Sequence, residues 1–127
     1  MMTMNANQRR AWSDRLNAEL RETLESLQRI EQEIPALSRD EDEEGGVPAN
    51  HLADEASNVY ELERLATIRA GLTDREYSIR DAQTRLANGV YGICQRCGKQ
   101  IDPGRLEALP WALYCIECQE IVDREVD

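Results

Sequence analysis

Residues 91–118 read YGICQRCGKQIDPGRLEALPWALYCIEC and contain every cysteine of this 127-residue chain. The cysteines form two Cys-x-x-Cys pairs, Cys94/Cys97 and Cys115/Cys118, which are separated by seventeen residues. A tight turn can place both thiolates of such a pair on one tetrahedral Zn²⁺. A gap of about fifteen to twenty residues between two pairs is typical of zinc sites. The pattern therefore predicts one zinc ion with these four cysteines as its ligands.

The predicted zinc site is expected to be structural. Four thiolates complete the tetrahedral coordination of zinc and leave no position for a substrate water. Gly98 directly follows the first cysteine pair, where a turn around the sulfurs requires a residue at positive φ. The sequence shows no Ser/His/Asp arrangement, phosphate-binding loop or open metal site, and we therefore expect that the protein is not an enzyme. A redox-active disulfide pair and a redox-sensing thiol switch are the alternatives for the cysteines.

Upstream of the cysteines, apolar residues recur at steps of three and four, which is the spacing of one helical face. A first helix is predicted over residues 7–37, with Pro35 near its end as a kink or stop. A second helix is predicted to begin between residues 50 and 54 and to reach about residue 90, with Gly71 as a point where it can bend. The apolar positions are Trp12, Leu16, Leu20, Leu24, Leu27, Ile30, Ile34 and Leu37 in the first helix, and Leu52, Ala56, Val59, Leu62, Leu65, Ile68, Leu72, Ile79, Ala82, Leu86 and Val90 in the second.

Residues 38–50, SRDEDEEGGVPAN, separate the two helices. Consecutive acids, two glycines and a proline predict a loop. Neither helix can bury its apolar face alone, and antiparallel pairing buries both. The predicted fold is therefore mainly α. It consists of a long antiparallel coiled-coil hairpin over residues 1–90, with a tip loop at about 38–51, and a small four-cysteine zinc-finger module over residues 91–127 that ends in a short helix.

The charge of the chain is concentrated in one segment. The net charge is −10, and residues 40–63, here called the acidic segment, carry nine Asp or Glu and no Lys or Arg. Because proteins that bind duplex DNA present basic surfaces, sequence-specific DNA binding is not expected. No apolar run approaches the roughly 20 residues that span a bilayer, so no membrane association is expected. The first twelve residues lack the apolar region of a secretory signal peptide, which predicts a protein of the reducing cytoplasm.

Residues 91–118 resemble the DksA/TraR family of C4-type zinc-finger regulators of bacterial RNA polymerase. The Cys spacing is generic, whereas the intervening R-L-E-A-x-P is specific. The shorter DksA-like members are the most similar in their local sequence. The matching residues are Tyr91, Gly92, Cys94, Cys97, Gly98, Ile101, Arg105, Leu106, Glu107, Ala108, Pro110, Cys115 and Cys118.

The resemblance implies a function. Proteins of this family bind RNA polymerase directly, and their coiled coil enters the secondary channel. Acidic residues at the tip approach the catalytic centre and destabilise open promoter complexes. The resemblance thus implies that this chain is a transcription regulator that acts through an acidic tip, with one structural Zn²⁺ in its base.

The family's tip motif, D-x-x-D-x-A, aligns with residues 51–56, which read HLADEA. Asp54 and Ala56 match the motif, and His51 replaces its first Asp. These three residues are the predicted polymerase-binding tip. Basic residues that help to bind the alarmone ppGpp in the family align with Leu109 and Gln119, which are uncharged, so a response to ppGpp is not expected.

A second class of function is compatible with the same sequence features. A zinc-stapled coiled-coil adaptor or stress protein would need the same helices and the same cysteines without contacting polymerase. Binding to core RNA polymerase distinguishes this class from a transcription regulator.

Overall fold

A computed structural model describes the backbone of residues 4–42 and 51–126, and the side chains of residues 4–35 and 56–125. Its four helices are α1 (Ala6–Asp42), α2 (His51–Ala87), α3 (Pro103–Ala108) and α4 (Ile116–Val126). The chain is mainly helical, and its described part contains a single isolated β-bridge, between Ile93 and Gln100. Among the described helices, none combines the length and the apolarity needed to cross a membrane.

Helix α1 is longer than the sequence predicted. It continues through Pro35 to Asp42, so of the two predicted effects of Pro35, a kink or a stop, the stop is wrong. The predicted start of the loop at residue 38 is wrong for the same reason. Proline removes one i→i−4 hydrogen bond but leaves those of later turns intact. Residues 36–42 contain no Gly, Pro or β-branched residue and can continue the helix after that interruption. The remainder of the predicted tip loop, residues 43–50, lies outside the described residues.

Helix α2 is one continuous helix across Gly71, as predicted. It ends at Ala87, close to the predicted end at about residue 90, and Asn88 and Gly89 follow directly. Gly89 has φ of 77°. The N–H of Gly89 donates to the carbonyl of Leu86 at 3.2 Å, and the N–H of Val90 donates to that of Arg85 at 2.9 Å. This pair of bonds is a Schellman motif, which satisfies the last carbonyls of α2 and turns the chain towards the cysteines.

The chain divides into two compact units, and each contains a segment of α1 and a segment of α2. The first unit comprises Met1–Arg21 and Glu76–Asp127. Within it, Asn17 on α1 accepts a hydrogen bond from the Gln83 amide on α2 at 2.8 Å. Arg9, earlier in α1, donates to the carbonyl of Leu86, later in α2, at 3.5 Å. The two segments are therefore antiparallel. The buried residues of this unit form its core: Leu16, Ile79, Ala82, Leu86, Tyr91, Cys94, Ile101, Leu106, Ala112 and Cys118.

The second unit comprises Glu22–Arg75. Glu31 on α1 pairs with Arg69 on α2 at 3.6 Å. The pKa of Arg64 on α2 is raised by its hydrogen bond to Glu61 and, to a smaller extent, by the charge of Glu33 on α1. Later residues of α1 thus face earlier residues of α2, and the pairing is again antiparallel. The buried residues in the described part of this unit are Thr23, Ile30 and Leu65. Its core is consequently the narrow seam of a two-helix coiled coil.

The seam of α2 differs from the predicted apolar face. Its buried and half-buried residues include Asn58, Leu62, Leu65, Arg69, Leu72, Glu76, Ile79, Gln83 and Leu86. These positions alternate in steps of four and three, which is the 3.5-residue repeat of a coiled coil. Apolar residues at positions outside this repeat are exposed, among them Val59 at 49% and Ile68 at 37%. The predicted apolar face is therefore wrong at Ala56, Val59 and Ile68, because these residues lie outside the repeat that faces the other helix. Val90, predicted on the same face, is exposed and lies after the end of α2.

Arg85 is a buried charged residue, with 7% of its side chain exposed. Its Nε donates to Asp81 at 3.0 Å, and its Nη atoms lie 3.5 Å from the carbonyls of Trp111 and Ala112. Arg80 makes the same kind of i,i+4 pair, to Glu76 at 2.9 Å, but 54% of its side chain is exposed. The two arginines form a matched pair that differs in burial and in contact with the chain after residue 110.

We expect Arg85→Met to lower the free energy of unfolding by about 2–3 kcal/mol, because it removes a buried partner from Asp81 and from two carbonyls. Arg80→Met should change it by less than about 1 kcal/mol, since exposed ion pairs contribute little. Urea unfolding followed by circular dichroism measures both. Equal effects of the two substitutions would contradict the role assigned to Arg85.

Candidate functional site

The first cysteine pair lies in a tight turn that follows α2. The N–H of Cys94 donates to the carbonyl of Lys99 at 2.8 Å, and the N–H of Gly98 donates back to the carbonyl of Cys94 at 2.9 Å. Gly98 has φ of 77°, as the sequence predicted. A side chain is strained at this φ, so glycine permits the turn that brings Cys94 and Cys97 together.

The second cysteine pair is held by the first turn of α4. Cys115 immediately precedes Ile116, where α4 begins. Its sulfur accepts a hydrogen bond from the N–H of Cys118 at 3.4 Å, and its carbonyl accepts from the N–H of Gln119 at 2.8 Å. Cys115 thus occupies the capping position of the helix, where a negative sulfur is stabilised by unpaired N–H groups and by the helix dipole.

The two pairs converge on one point. The four Sγ atoms all lie within 4.8 Å of one another, and those of Cys97 and Cys115 are 4.0 Å apart. Zinc–sulfur bonds of about 2.3 Å in a tetrahedron place two sulfurs about 3.8 Å apart. All four cysteines are free thiols rather than disulfides. The donor set and its spacing therefore fit one tetrahedral zinc ion.

The ionisation of the thiols also favours a cation. Burial of Cys94 would raise its pKa, but the backbone N–H groups of Cys97, Cys115 and Arg96 lower that pKa to about 6. Burial, together with hydrogen bonds with Cys115, Cys94 and Cys97, raises the pKa of Cys118 to about 12. One thiol is thus readily ionised while another, in the same cluster, resists ionisation. A divalent cation removes this conflict because it stabilises all four thiolates together.

The chain between the two pairs is held through its carbonyl groups. The N–H of Gln95, within the first pair, donates to the carbonyl of Leu113 at 2.9 Å. The hydroxyl of Tyr91 donates to the carbonyl of Pro110 at 2.8 Å. Two arginines donate to further carbonyls: Arg15 to that of Glu107 at 2.8 Å, and Arg105 to that of Tyr114 at 2.9 Å. With the contacts of Arg85, these bonds fix the segment that carries the second cysteine pair.

Sequence reasoning did not find the roles of Arg15, Arg85 and Arg105, since an arginine that donates to a distant carbonyl leaves no local pattern. It also missed α3, although a signal was present. Asp102 caps this helix by accepting the N–H of Gly104 at 3.0 Å, and Pro103 occupies its first position. An acidic cap followed by proline is a helix-start signal. Arg105, the first residue of the R-L-E-A sequence, lies on α3 beside Leu106, which is 1% exposed.

The predicted tip residues lie in the first turns of α2. His51 begins the helix, and Asp54 completes its first turn. The side chains of both lie outside the described residues. Ala56, on the next turn, is exposed. The helical register places Asp54 near an N-terminus, where the helix dipole favours negative charge.

The two positions that align with ppGpp-binding residues are described. Leu109 is half-buried and packs against the core of the first unit. The amide of Gln119 donates to Asp123 at 2.9 Å. Neither supplies a positive charge, and the expectation of no ppGpp response stays a prediction. Trp111 and Tyr114 also pack against this core.

Comparisons with known proteins agree with the site geometry. The prokaryotic dksA/traR C4-type zinc-finger family matches residues 89–124. The RNA polymerase-binding transcription factor DksA of Caulobacter vibrioides is 34% identical over 118 residues, which cover 90% of this chain and 70% of that protein. An uncharacterised protein of Aquifex aeolicus is 40% identical over 74 residues, covering 58% of this chain. Only 43% of that relative's length is matched.

The fold also has a solved counterpart. The structure of transcription factor DksA2 from Pseudomonas aeruginosa is similar with a TM-score of 0.76, 24% identity and coverage of 95% of this chain and 87% of that one. At this identity the likeness establishes the fold, a helical coiled-coil hairpin. The C4-type match and the four clustered thiols together identify the cysteine site as that of one structural zinc ion.

We expect the chain to bind one Co²⁺ in place of Zn²⁺, with the sulfur-to-metal charge-transfer and d–d absorption bands of a tetrahedral thiolate site. Cys97→Ser should weaken cobalt binding strongly and change these bands, while Gln100→Ser, on the same turn, should leave them unchanged. Binding of several ions per chain, or octahedral bands, would contradict the assignment.

Tyr91 is expected to stabilise the fold through its hydroxyl. Its ring packs on Trp12 with centroids 5.4 Å apart, and Tyr91→Phe retains this packing while leaving the carbonyl of Pro110 without its donor. The free energy of unfolding should fall by about 1–2 kcal/mol at neutral pH. Tyr77→Phe is the control, because Tyr77 is 76% exposed.

The same residue should make stability sensitive to alkaline pH. Burial raises the pKa of Tyr91 from 10.0 to about 12, against the opposing charges of Arg85 and Arg15. The folded state therefore retains the phenolic proton more strongly than the unfolded state. The resulting contribution to the free energy of unfolding is fully present below pH 10 and is lost as the pH rises towards about 12. The free energy of unfolding, measured with urea between pH 10 and about 12, should fall as the pH rises. This fall should be smaller in Tyr91→Phe and unchanged in Tyr77→Phe. An unchanged alkaline profile in Tyr91→Phe would refute this assignment.

Proposed function

Because the chain belongs to the DksA/TraR family of C4-type zinc-finger proteins, we propose that it binds bacterial RNA polymerase and modulates transcription initiation. The observation that carries the proposal is the match to the RNA polymerase-binding transcription factor DksA of Caulobacter vibrioides, which extends over 90% of this chain. This chain matches less than half of the length of the Aquifex aeolicus relative, so its partner and its activity are proposals.

The proposed route is the secondary channel of the polymerase, which the coiled coil would enter with its acidic segment foremost. Residues 40–63 carry nine acidic and no basic side chains, so this segment suits a positively charged path. A polymerase active centre holds Mg²⁺, whose preferred ligands are oxygens. A carboxylate brought close to that centre can alter the electrostatic field around the metal and its substrates.

Asp54 is the proposed effector within this segment. It matches the acidic position of the family's tip motif, and its place in the first turn of α2 means that a helix, rather than a loop, fixes its backbone. Ala56 and His51 are proposed as neighbouring contact residues. The replacement of Asp by His at residue 51 leaves one acidic residue of the motif instead of two, so the strength or kind of the effect can differ from that of other members.

The zinc site has a structural role in this proposal. Its sulfurs and the carbonyl contacts of the following segment hold the first unit together, and no step of regulation requires an open position on the metal. The family is one of transcription factors rather than enzymes, which supports a function exerted by binding.

Asp54→Asn should retain binding to core RNA polymerase but lose most of the effect on the lifetime of open promoter complexes. The substitution removes one charge at nearly constant shape and should change stability by less than about 1 kcal/mol. Asp74→Asn is the matched control, because Asp74 is an exposed acid on the same helix outside the motif. Pull-down on the zinc-loaded chain and a purified transcription assay supply the two measurements.

The outcomes separate the candidate functions. Reproducible absence of polymerase binding would favour a zinc-stapled adaptor. Binding with full activity of Asp54→Asn, or equal loss in Asp74→Asn, would remove Asp54 as effector while retaining the polymerase as partner.

A further inference from the structure

A groove of about 370 Å³ lies between the start of α1 and the end of α2 in the first unit. Its lining contains two guanidinium groups, a hydroxyl and an amide above a small apolar floor. The lining residues are Arg9, Arg10, Ser13, Gln83, Leu86 and Ala87. None of them belongs to the zinc site or to the acidic segment, so the groove is separate from both features on which the proposed function rests.

The groove carries the positive charges of two arginines, although the chain as a whole is acidic. The chain has a net charge of −10, yet neither Arg9 nor Arg10 forms an ion pair with any acid among the described residues. Asp14 is four residues from Arg10, a spacing at which helical ion pairs form, but the two are not paired. Both guanidiniums are exposed and retain N–H donors for a ligand.

Helix α1 adds to the positive potential. It begins at Ala6, and its first turn holds no acidic residue that would offset the positive end of the helix dipole. Its terminus is well formed, since Asn5 and Gln8 exchange hydrogen bonds of 2.8 and 2.9 Å in a reciprocal cap. The arginines therefore project from an ordered helical turn rather than from a frayed end.

Hydrogen bonds join the two helices that line the groove. Gln83 on α2 donates to Asn17 on α1 at 2.8 Å, which ties the two helices together beside the groove. Arg9 reaches across to the carbonyl of Leu86 at 3.5 Å, which uses one of its five N–H donors. Leu86 itself is 8% exposed and forms the floor. A preformed site lowers the entropy cost of binding.

We propose that this groove binds a small organic phosphate, with Arg9 and Arg10 on the phosphoryl group. Successive helical residues diverge by about 100°, so the two guanidiniums approach a ligand from different directions. A planar carboxylate is satisfied by one guanidinium fork, whereas a tetrahedral phosphate offers oxygens to both. Ser13 lies one turn after Arg9 on the same helical face, where its hydroxyl can donate to a further oxygen. The apolar floor accommodates the organic part.

Phenyl phosphate is a suitable probe, because it combines a phosphoryl group with a small apolar ring. It is titrated into the zinc-loaded, ¹⁵N-labelled full chain at constant ionic strength, and backbone amide shifts are followed by NMR. We expect saturable shifts concentrated at residues 9–13 and 83–87. Arg10→Gln should raise the Kd by about tenfold or more, because it removes a charge-assisted hydrogen bond.

Arg21→Gln is the matched control, since Arg21 is an exposed arginine of the same helix outside the groove. It should leave the Kd unchanged, and neutral phenol should cause no saturable shift. The proposal is overturned if phenyl phosphate gives no saturable shifts, if phenol binds equally well, or if Arg21→Gln weakens binding as much as Arg10→Gln. Because polymerase is not present, none of these outcomes depends on the proposed function.

Discussion

Four sulfur atoms within 4.8 Å of one another are the constraint around which the first unit is organised. Thiolates at such distances repel, and only a shared cation stabilises all of them. Two local devices bring the sulfurs there: a turn with Gly98 at positive φ, and the N-terminal turn of α4 capped by Cys115. The metal thereby joins two cysteine pairs that lie seventeen residues apart in sequence.

The metal site depends in turn on the helices beside it. Arg85 from α2 contacts two carbonyls of the chain between the cysteine pairs, Arg15 from α1 contacts a third, and Tyr91 contacts a fourth. These polar bonds supplement the buried apolar core of the first unit. In the described part of the second unit, the few buried residues lie in the narrow seam around Ile30 and Leu65. The two units are thus stabilised by different physical means.

Sequence reasoning succeeded where a local rule decides the structure. Cysteine spacing predicted the metal site, and Gly98 predicted its turn, because each depends on neighbouring residues alone. It failed at Pro35, where the remaining hydrogen bonds of a long helix outweigh one missing bond, and at Val59 and Ile68, where pairing with another helix selects the seam. The carbonyl contacts of Arg85 were unpredictable for the same reason, since they join residues 26 and 27 positions apart.

A photo-crosslinking map tests most directly the proposal that the start of α2 acts inside RNA polymerase. A photoreactive amino acid replaces the exposed Ala56, or Arg124 of α4 as a reference, and the zinc-loaded chain is irradiated with core polymerase. The account predicts that residue 56 crosslinks to polymerase segments that line the secondary channel near the catalytic centre, and that residue 124 crosslinks elsewhere. Crosslinks from residue 56 to the outer surface alone, or no polymerase crosslinks from either position, would contradict the account.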